Sequence, residues 1–530
     1  MIILWLITFF LAGKDVNIAY GQLQIIPQPQ SITYSPGNFS INNSTEIIYT
    51  FRQSQKEAEI LAGHLKIPVK ADTKYTGKNQ IVLKENSKLG EEAYHIMVNK
   101  ENIVCEAATT AGMYYAIQTL MQAFDASGSK RSVAALSVED APRYAWRGLL
   151  IDESRHFFGK ETMKQIFDVM AHLKMNRLQW HLTDEHGWRI EIKKYPNLTE
   201  IGAVGNFSDR HAPRRYYTQD EIRELVAYAS ERHIMIIPEV EMPGHAVAAT
   251  RSYPEYSSGG IDRWNGFTFH PAREATYQFI DDIFTELAQL FPSPYIHIGG
   301  DEVHYGNQTW RTDPLIQTFI KENDLKDEKG LERYFVRRVC DIVNSKGRIM
   351  IGWDEIVDAE VSPDKAIAMW WRGQNRLNIA LEKGFKVIMA PVHPCYLDFI
   401  QDDSHKFGRS NKEQINTIQA IYSFPDNLPL QNNYYNRIQG IQACLWSEGI
   451  GVDVKRLYFM LFPRLAGIAE IAWTNSEVKD YARFETKLKN FLQYLDNNGI
   501  NYYNPFNPES TPEPWGPSDG DGQFSLPFNQ

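Results

Sequence analysis

Apolar and polar positions fall into two rhythms along the chain. Between residues 22 and 140, short apolar pieces at Glu46–Phe51, Gln80–Leu83, Ala93–Val98 and Ile103–Ala107 read as strands. In Gln53–Leu65 and Thr109–Phe124 the apolar residues recur at helical spacing. This predicts a small α+β domain, ended by the break at Ala141-Pro142-Arg143.

From Tyr144 the rhythm changes. Strand-length apolar runs lie at Gly148–Ile151, Arg177–His181, Met235–Val240, Tyr295–Ile298, Ile349–Trp353, Ala366–Trp370, Lys386–Ala390 and Gly440–Leu445. Between and after them come amphipathic stretches at Lys160–Leu173, Gln219–Arg232, Ala272–Leu290, Gly330–Lys346, Asn375–Lys383 and Val454–Trp473. Thr218 and Glu221 have the spacing of a capping box for the second of these helices. Strand–helix alternation on this scale implies parallel strands joined by helical crossovers. With about eight strands, a barrel is the economical closure. The expected fold class is α/β, a (β/α)8 TIM barrel over 141–480 preceded by the α+β domain over 22–140. A doubly wound open sheet is the alternative, but no glycine-rich nucleotide turn follows the first strand. Residues 481–530 add a helix, Tyr481–Tyr494, and a Pro/Gly-rich tail expected to pack on the barrel.

Composition adds exclusions. The chain has 530 residues, 43% of them hydrophobic and 23% charged, which suits a globular protein with a sizeable core. The net charge of −10 comes with no basic block, which argues against nucleic acid as a partner. Ile2–Gly13 is an apolar run of signal-peptide length and too short to span a bilayer. With the small residues Ala19 and Gly21 after it, residues 1–21 read as a signal peptide and the protein as exported, periplasmic or secreted. The run lacks a basic segment before it, since Lys14 follows. Four cysteines fit no zinc spacing. Cys105 and Cys340 read as buried thiols; Cys395 and Cys444 read as a small buried pair, with a disulfide as the alternative.

In a barrel the site lies at the C-terminal strand ends. The predicted strands end in Asp152-Glu153-Ser154-Arg155, His181-Leu182-Thr183-Asp184, Glu239-Val240-Glu241 with His245 beyond, Gly299-Gly300-Asp301-Glu302, Trp353-Asp354-Glu355 and Trp370-Trp371-Arg372. Tyr396 and Asp398 follow the seventh strand, and Trp446-Ser447-Glu448 the eighth. Acids scattered at random would not gather on one rim, so the chain reads as an enzyme. His181, Asp184, Glu239, Glu241 and His245 could suit a metal, but no HxH or HExxH spacing is present, and no metal or cofactor is expected. Carboxylates among Trp and Tyr suit glycoside cleavage, which needs an acid for the leaving oxygen and stabilisation of an oxocarbenium-like carbon.

The run HIGGDE at 297–302 resembles the signature of glycoside hydrolase family 20, the β-N-acetylhexosaminidases. RGLLIDESRHF, WHLTDEHGWR, EVEMPGH, GWDEI, YLD and ACLWSE resemble further family blocks in the family's order, between Arg147 and Glu448. The resemblance implies exo-acting, substrate-assisted, retaining hydrolysis of N-acetylhexosamine-terminated glycans. It implies Glu302 as general acid/base, Asp301 as acceptor of the acetamido N–H, and Tyr396 as donor to the acetamido oxygen. It assigns Arg155, Asp398 and Glu448 to the sugar hydroxyls, Trp353, Trp371 and Trp446 to the pocket walls, and Asp184 and His245 to the support of Glu302. Glu239, Glu241, Asp354 and Glu355 are read as structural. The competing readings are a conventional retaining glycosidase with Glu448 as nucleophile, and a catalytically silent sugar-binding protein. The long loops Arg251–Phe269 and Gln401–Arg437 are expected to shape the leaving-group side.

Overall fold

The computed structural model describes residues 23–71, 75, 77–128, 130–409 and 415–515. The expected leader, residues 1–21, and the end of the tail lie outside these residues. No described helix is long and apolar enough to cross a membrane.

The first domain is a seven-stranded mixed sheet: β1 (Ser31–Ser40), β2 (Glu46–Tyr49), β3 (Val69–Ala71), β4 (Gln80–Glu85), β5 (Tyr94–Val98), β6 (Asn102–Ala107) and β7 (Ser132–Asp140), in the order β1-β7-β5-β6-β4-β2-β3. Helices Gln55–Leu65 and Thr110–Asp125 pack on the sheet and on each other. The Thr109 hydroxyl caps the second helix by accepting the Gly112 N–H at 3.2 Å. β1, β3 and β7 go beyond the strands expected from sequence. β1 is mostly exposed, and its register against β7 shifts between Tyr34 and Asn38, across Pro36-Gly37, so it carries little alternation to read.

The second domain is a closed barrel of parallel strands: β8 (Trp146–Asp152), β9 (Arg177–His181), β10 (Met235–Glu239), β11 (Tyr295–His297), β12 (Ile349–Trp353), β13 (Ala366–Trp370), β14 (Lys386–Met389) and β15 (Ile438–Leu445). β15 closes on β8 from Gly440 opposite Trp146 to Leu445 opposite Ile151. All seven residues of β8 are buried, as expected of a strand covered on both faces. Leu150, Ile237, Ile351, Ile367, Met369 and Ile388 fill the interior, in one cluster with Trp353, Tyr396 and Trp446 at the mouth. Thr218 and Glu221 form the expected capping box. The helix expected over Val454–Trp473 is instead two helices, Val454–Leu461 and Arg464–Trp473. Pro463 sits at the break, where it has no N–H to give and its ring would crowd the preceding turn. All four cysteines are buried free thiols, Cys395 and Cys444 included, and burial raises the pKa of each.

The two domains meet through buried charge. The Arg147 guanidinium donates to both Glu92 carboxylate oxygens at 2.8 Å. Asp140, closing β7, lies 3.2 Å from the Lys174 ammonium and accepts the Trp473 indole N–H at 3.0 Å. Arg147 lies near the start of β8 and Lys174 just before β9, so this junction is at the N-terminal end of the barrel. After helix Tyr481–Asn497 the tail returns to the other end. There the Glu513 carboxylate accepts the backbone N–H groups of Lys406 and Phe407 at 2.8 and 3.1 Å and lies 3.3 Å from Arg456 Nη1.

Asp140→Leu strands the fully buried Lys174 ammonium without its carboxylate, and a loss of about 3–5 kcal/mol is expected. It would be read as a lower guanidinium midpoint. Asp140→Leu combined with Lys174→Leu should recover part of that loss.

Candidate active site

The turn after β11 carries the two acids. Gly299 and Gly300 have φ of +66° and +94°, and Glu302 is left-handed at 51°. A Cβ on Gly299 would stand 1.7 Å from Glu241 Oε2, so only glycine lets the turn lie directly on that carboxyl. The turn delivers Asp301 and Glu302 to one imidazole. His245 Nε2 lies 3.8 Å from Asp301 Oδ2 and 3.5 Å from Glu302 Oε2. The Asp301 side chain is 14% exposed and that of Glu302 34%, so Glu302 is the acid open to an incoming bond.

A chain of alternating charge supports this pair. His245 Nδ1 bonds Asp184 Oδ1 at 3.2 Å and lies 3.4 Å from Glu185 Oε1. Asp184 Oδ2 receives Arg155 Nη2 at 2.8 Å and His181 Nε2 at 3.0 Å. His181 Nδ1 lies 2.9 Å from Glu239 Oε2, and Glu239 Oε1 lies 2.8 Å from His297 Nδ1. Burial opposes every charge here, and partners decide the outcome. Arg155, His245 and His181 hold Asp184 well below the usual carboxylate range. The carboxylates around His181 and His245 hold both imidazoles well above the usual histidine range. Glu302 is pushed up by burial, but its bond to His245 and the charge there bring it below its ordinary value. Asp301 is raised to about 6 by burial and the neighbouring Glu302, against the pull of His245.

The remaining rim is aromatic and polar. Trp353 packs against Trp371 and Trp446 with ring centroids 6.3 and 5.8 Å apart, and Tyr396 lies 6.1 Å from Trp446. Of the adjacent tryptophans, Trp371 joins this wall and donates its indole N–H to Glu355 Oε2 at 3.1 Å. Trp370 packs in the core cluster outside the barrel and donates to the Gly373 carbonyl at 3.2 Å. The Arg155 guanidinium stands 5.3 Å from the Trp446 ring centre, with Nη2 3.7 Å from Glu448 Oε1. Asp152 fixes that corner: it accepts the Ser154 and Arg155 N–H groups on one side and the Ser447 N–H and hydroxyl on the other. Asp398 lies 3.1 Å from Arg409 Nε, and burial together with Glu448 raises it to about 6.

Several polar atoms of this rim are buried without a hydrogen-bond partner: Arg155 Nε, Asp301 Oδ1, Trp353 Nε1, Asp398 Oδ1 and Glu448 Oε2. Such atoms are costly and rare in a folded protein, and here they gather around an aromatic box. A polyhydroxylated ligand would satisfy them.

The structure thus brings together all the site residues expected from sequence. It also gives work to residues that sequence left as structural or unnamed. Glu239 links His181 to His297, Glu355 holds the Trp371 indole, and Arg409 pairs with Asp398. Asp354 is structural: it is fully buried and bonded by Arg372 and Arg376. Donor atoms of His181, Glu239 and Glu241 lie within 4.8 Å of one another. His181 and Glu239 are already engaged on both sides, by Asp184 and by Gln179 and His297, so the cluster fits proton sharing better than a metal.

Comparison with known proteins agrees with this geometry. Residues 144–476 match the catalytic domain of glycosyl hydrolase family 20, and residues 22–141 match domain 2 of the same family. A β-hexosaminidase of Porphyromonas gingivalis is 33% identical over 94% of this chain, which spans 66% of that protein's length. A β-hexosaminidase of Vibrio furnissii is 34% identical over 84% of this chain and 76% of its own. Among solved structures, the exo β-N-acetylglucosaminidase of Vibrio harveyi, in complex with N-acetylglucosamine, superposes with a TM-score of 0.83 at 31% identity, covering 91% of this chain and 79% of that one. The N-acetyl-β-hexosaminidase of Streptomyces plicatus gives 0.79 at 29% identity, covering 91% and 96%.

The turn can be tested by Gly299→Ala, which adds a strained φ and a clash with Glu241. Displacing two adjacent acids by about 1 Å is expected to cost on the order of 10²-fold in kcat/KM on whichever glycoside the protein cleaves. Far-UV circular dichroism should be unchanged.

Proposed function

The chain belongs to glycosyl hydrolase family 20, and on that footing we propose that it is an exo-acting β-N-acetylhexosaminidase, removing terminal non-reducing β-linked GlcNAc or GalNAc with retention of configuration. The observation that carries this reading is the set of unpartnered buried polar atoms around one aromatic pocket, beside an acid on its open side.

The nucleophile is the substrate's own 2-acetamido oxygen, which attacks the anomeric carbon and closes an oxazolinium ring. Tethering makes this step intramolecular and therefore favourable. Glu302 gives its proton to the leaving oxygen, then takes one from the water that opens the ring. In the open site Glu302 lies below its ordinary pKa, because His245 favours its anion. A bound sugar removes water and adds to the burial penalty, which moves the carboxyl upward toward an acid's role. Asp301 accepts the acetamido N–H and stabilises the charge that develops there. Tyr396 donates to the acetamido oxygen, and Trp353, Trp371 and Trp446 wall the pocket. Arg155, Asp398 and Glu448 hold the outer hydroxyls, with Glu448 placed against Arg155 as a binding group. Asp184 acts on Glu302 through His245.

The natural substrates are proposed to be glycans ending in N-acetylhexosamine. Export is proposed as well, supported by the apolar run Ile2–Gly13 followed by Ala19 and Gly21.

An aryl-glycoside panel tests the chemistry. Aryl β-GlcNAc should be cleaved, aryl β-glucoside should not, and a thiazoline mimic of the oxazolinium should inhibit. Glu302→Gln is expected to lower kcat/KM roughly 10²–10⁴-fold; equal release by this variant and the wild type would sink the enzyme reading. Cleavage of glucoside as fast as GlcNAc would instead favour a protein nucleophile. Activity needs Asp301 ionised, so kcat/KM should fall as pH drops through about 6, and Asp301→Asn should abolish that acidic limb together with most of kcat.

A further inference from the structure

The turn after β9 delivers two carboxylates, not one, to the imidazole beside Glu302. Thr183 and Trp188 form an antiparallel bridge, and the Asp184 N–H donates to the Gly187 carbonyl at 3.1 Å, which closes a tight turn over 184–187. The Ser154 hydroxyl donates to the same carbonyl at 2.7 Å and ties the turn to the loop after β8. Within the turn the Glu185 N–H donates to Asp184 Oδ1 at 2.6 Å. Both acids reach His245 Nδ1, Asp184 Oδ1 at 3.2 Å and Glu185 Oε1 at 3.4 Å. One N–H between two acceptors makes a three-centre bond. His245 is held for this contact: its backbone is left-handed at φ 52°, uncommon for any residue but glycine, and the Phe267 ring centre lies 4.8 Å from the imidazole. The opposite nitrogen, Nε2, then faces Glu302 Oε2 at 3.5 Å.

Two adjacent carboxylates in a site this dry repel each other, and the Glu185 side chain is only 12% exposed. Asp184 has other cations, since its Oδ2 also receives Arg155 and His181. Glu185 has one ion-pair partner among the described residues, and that is His245. Its charge therefore acts on this imidazole above all. His245 faces Asp184 and Glu185 across Nδ1, Asp301 and Glu302 across Nε2, and Glu241 from its own loop. Glu185 faces Asp184, His245 and Arg155. Glu302 faces His245, Asp301, Arg155 and His304. Burial lifts the Glu185 carboxyl above its ordinary value, its bond to His245 holds the rise back, and Asp184 adds to it. Burial also opposes a charge on His245, but Asp184, Glu185 and Glu302 together hold the imidazole well above the usual histidine range.

We propose that Glu185 is a positioning residue for the acid: it accepts the His245 Nδ1–H together with Asp184, and its negative charge keeps the imidazole a cation toward Glu302. His245 and Glu302 then hold one proton between them, on His245 in the open site and on Glu302 once a sugar is bound. Glu185 itself makes and breaks no bond. The proposal rests on the reading of Glu302 as the general acid.

Glu185→Gln tests this, because Gln keeps the size of the side chain and an oxygen acceptor for Nδ1–H while removing the charge. In the resting full-length protein, labelled with 15N-histidine, the His245 signal is identified by its loss in His245→Gln. The wild type should show both ring nitrogens protonated at neutral pH, and Glu185→Gln should lose one of those protons at lower pH. The basic limb of kcat/KM on aryl β-GlcNAc marks the loss of the proton that His245 and Glu302 hold together. Without the Glu185 anion that proton leaves more easily, so the limb should fall by about one pH unit. Glu185→Ala should move both readouts in the same direction, and it serves if the Gln variant does not fold. A His245 signal and a limb that both stay in place in Glu185→Gln would reduce Glu185 to packing and overturn the proposal. A limb that rises overturns it, and so does a signal that moves while the limb does not, since the charge would then not reach Glu302. A wild type that cleaves no N-acetylhexosaminide defeats the reading of Glu302 instead, and the His245 signal then decides alone whether Glu185 holds the imidazolium.

Discussion

Burying more carboxyls than cations at one end of a barrel is the constraint from which the rest of the site follows. Asp152, Asp184, Glu239, Glu241, Asp301 and Asp398 are all largely or wholly out of water, and a lone charge there would cost several kcal/mol. The chain answers with one shared partner, Asp184, which joins Arg155, His181 and His245. Through it the corner at Arg155 and the acid at Glu302 belong to a single electrostatic unit. Neither can be altered without the other sensing the change.

The scaffold keeps that unit apart from the forces that hold the molecule together. The α+β domain is fastened by Arg147–Glu92 and Lys174–Asp140 at the N-terminal end of the barrel. The candidate site residues lie at the C-terminal end, on loops whose backbone is fixed by local bonds such as those of Asp152 to Arg155 and Ser447. Stability and chemistry therefore occupy opposite ends of the same strands, as barrels generally arrange them.

Much of this was legible in the sequence. Barrel strands are buried on both faces, so their apolar runs stand out, and the residue types that end them name the rim directly. The adjacent Trp370 and Trp371 show where reading stops: successive residues at a strand end point to opposite sides, but which of them faces the mouth is set by the register of the sheet. Pro463 was readable as a helix break, yet the apolar pattern runs straight through it. Glu241, Glu355 and Arg409 were not legible as parts of the site. Their surroundings are assembled by contacts across loops, and an acid beside a glycine turn looks in sequence like any other acid.

The Glu513 contact ties the end of the chain to the pocket. Glu513 grips the backbone at Lys406 and Phe407, two residues before the arginine that pairs with Asp398. The stretch around Glu513 thus works as a clasp on the loop that presents Arg409 to Asp398. A cut upstream of Glu513 would touch none of the side chains at the strand ends, yet it would release the loop that sets Arg409 against Asp398: on the proposed function, a surface segment far from Glu302 in sequence helps to shape the outer edge of the pocket, and its integrity belongs among the conditions under which substrate preference is compared.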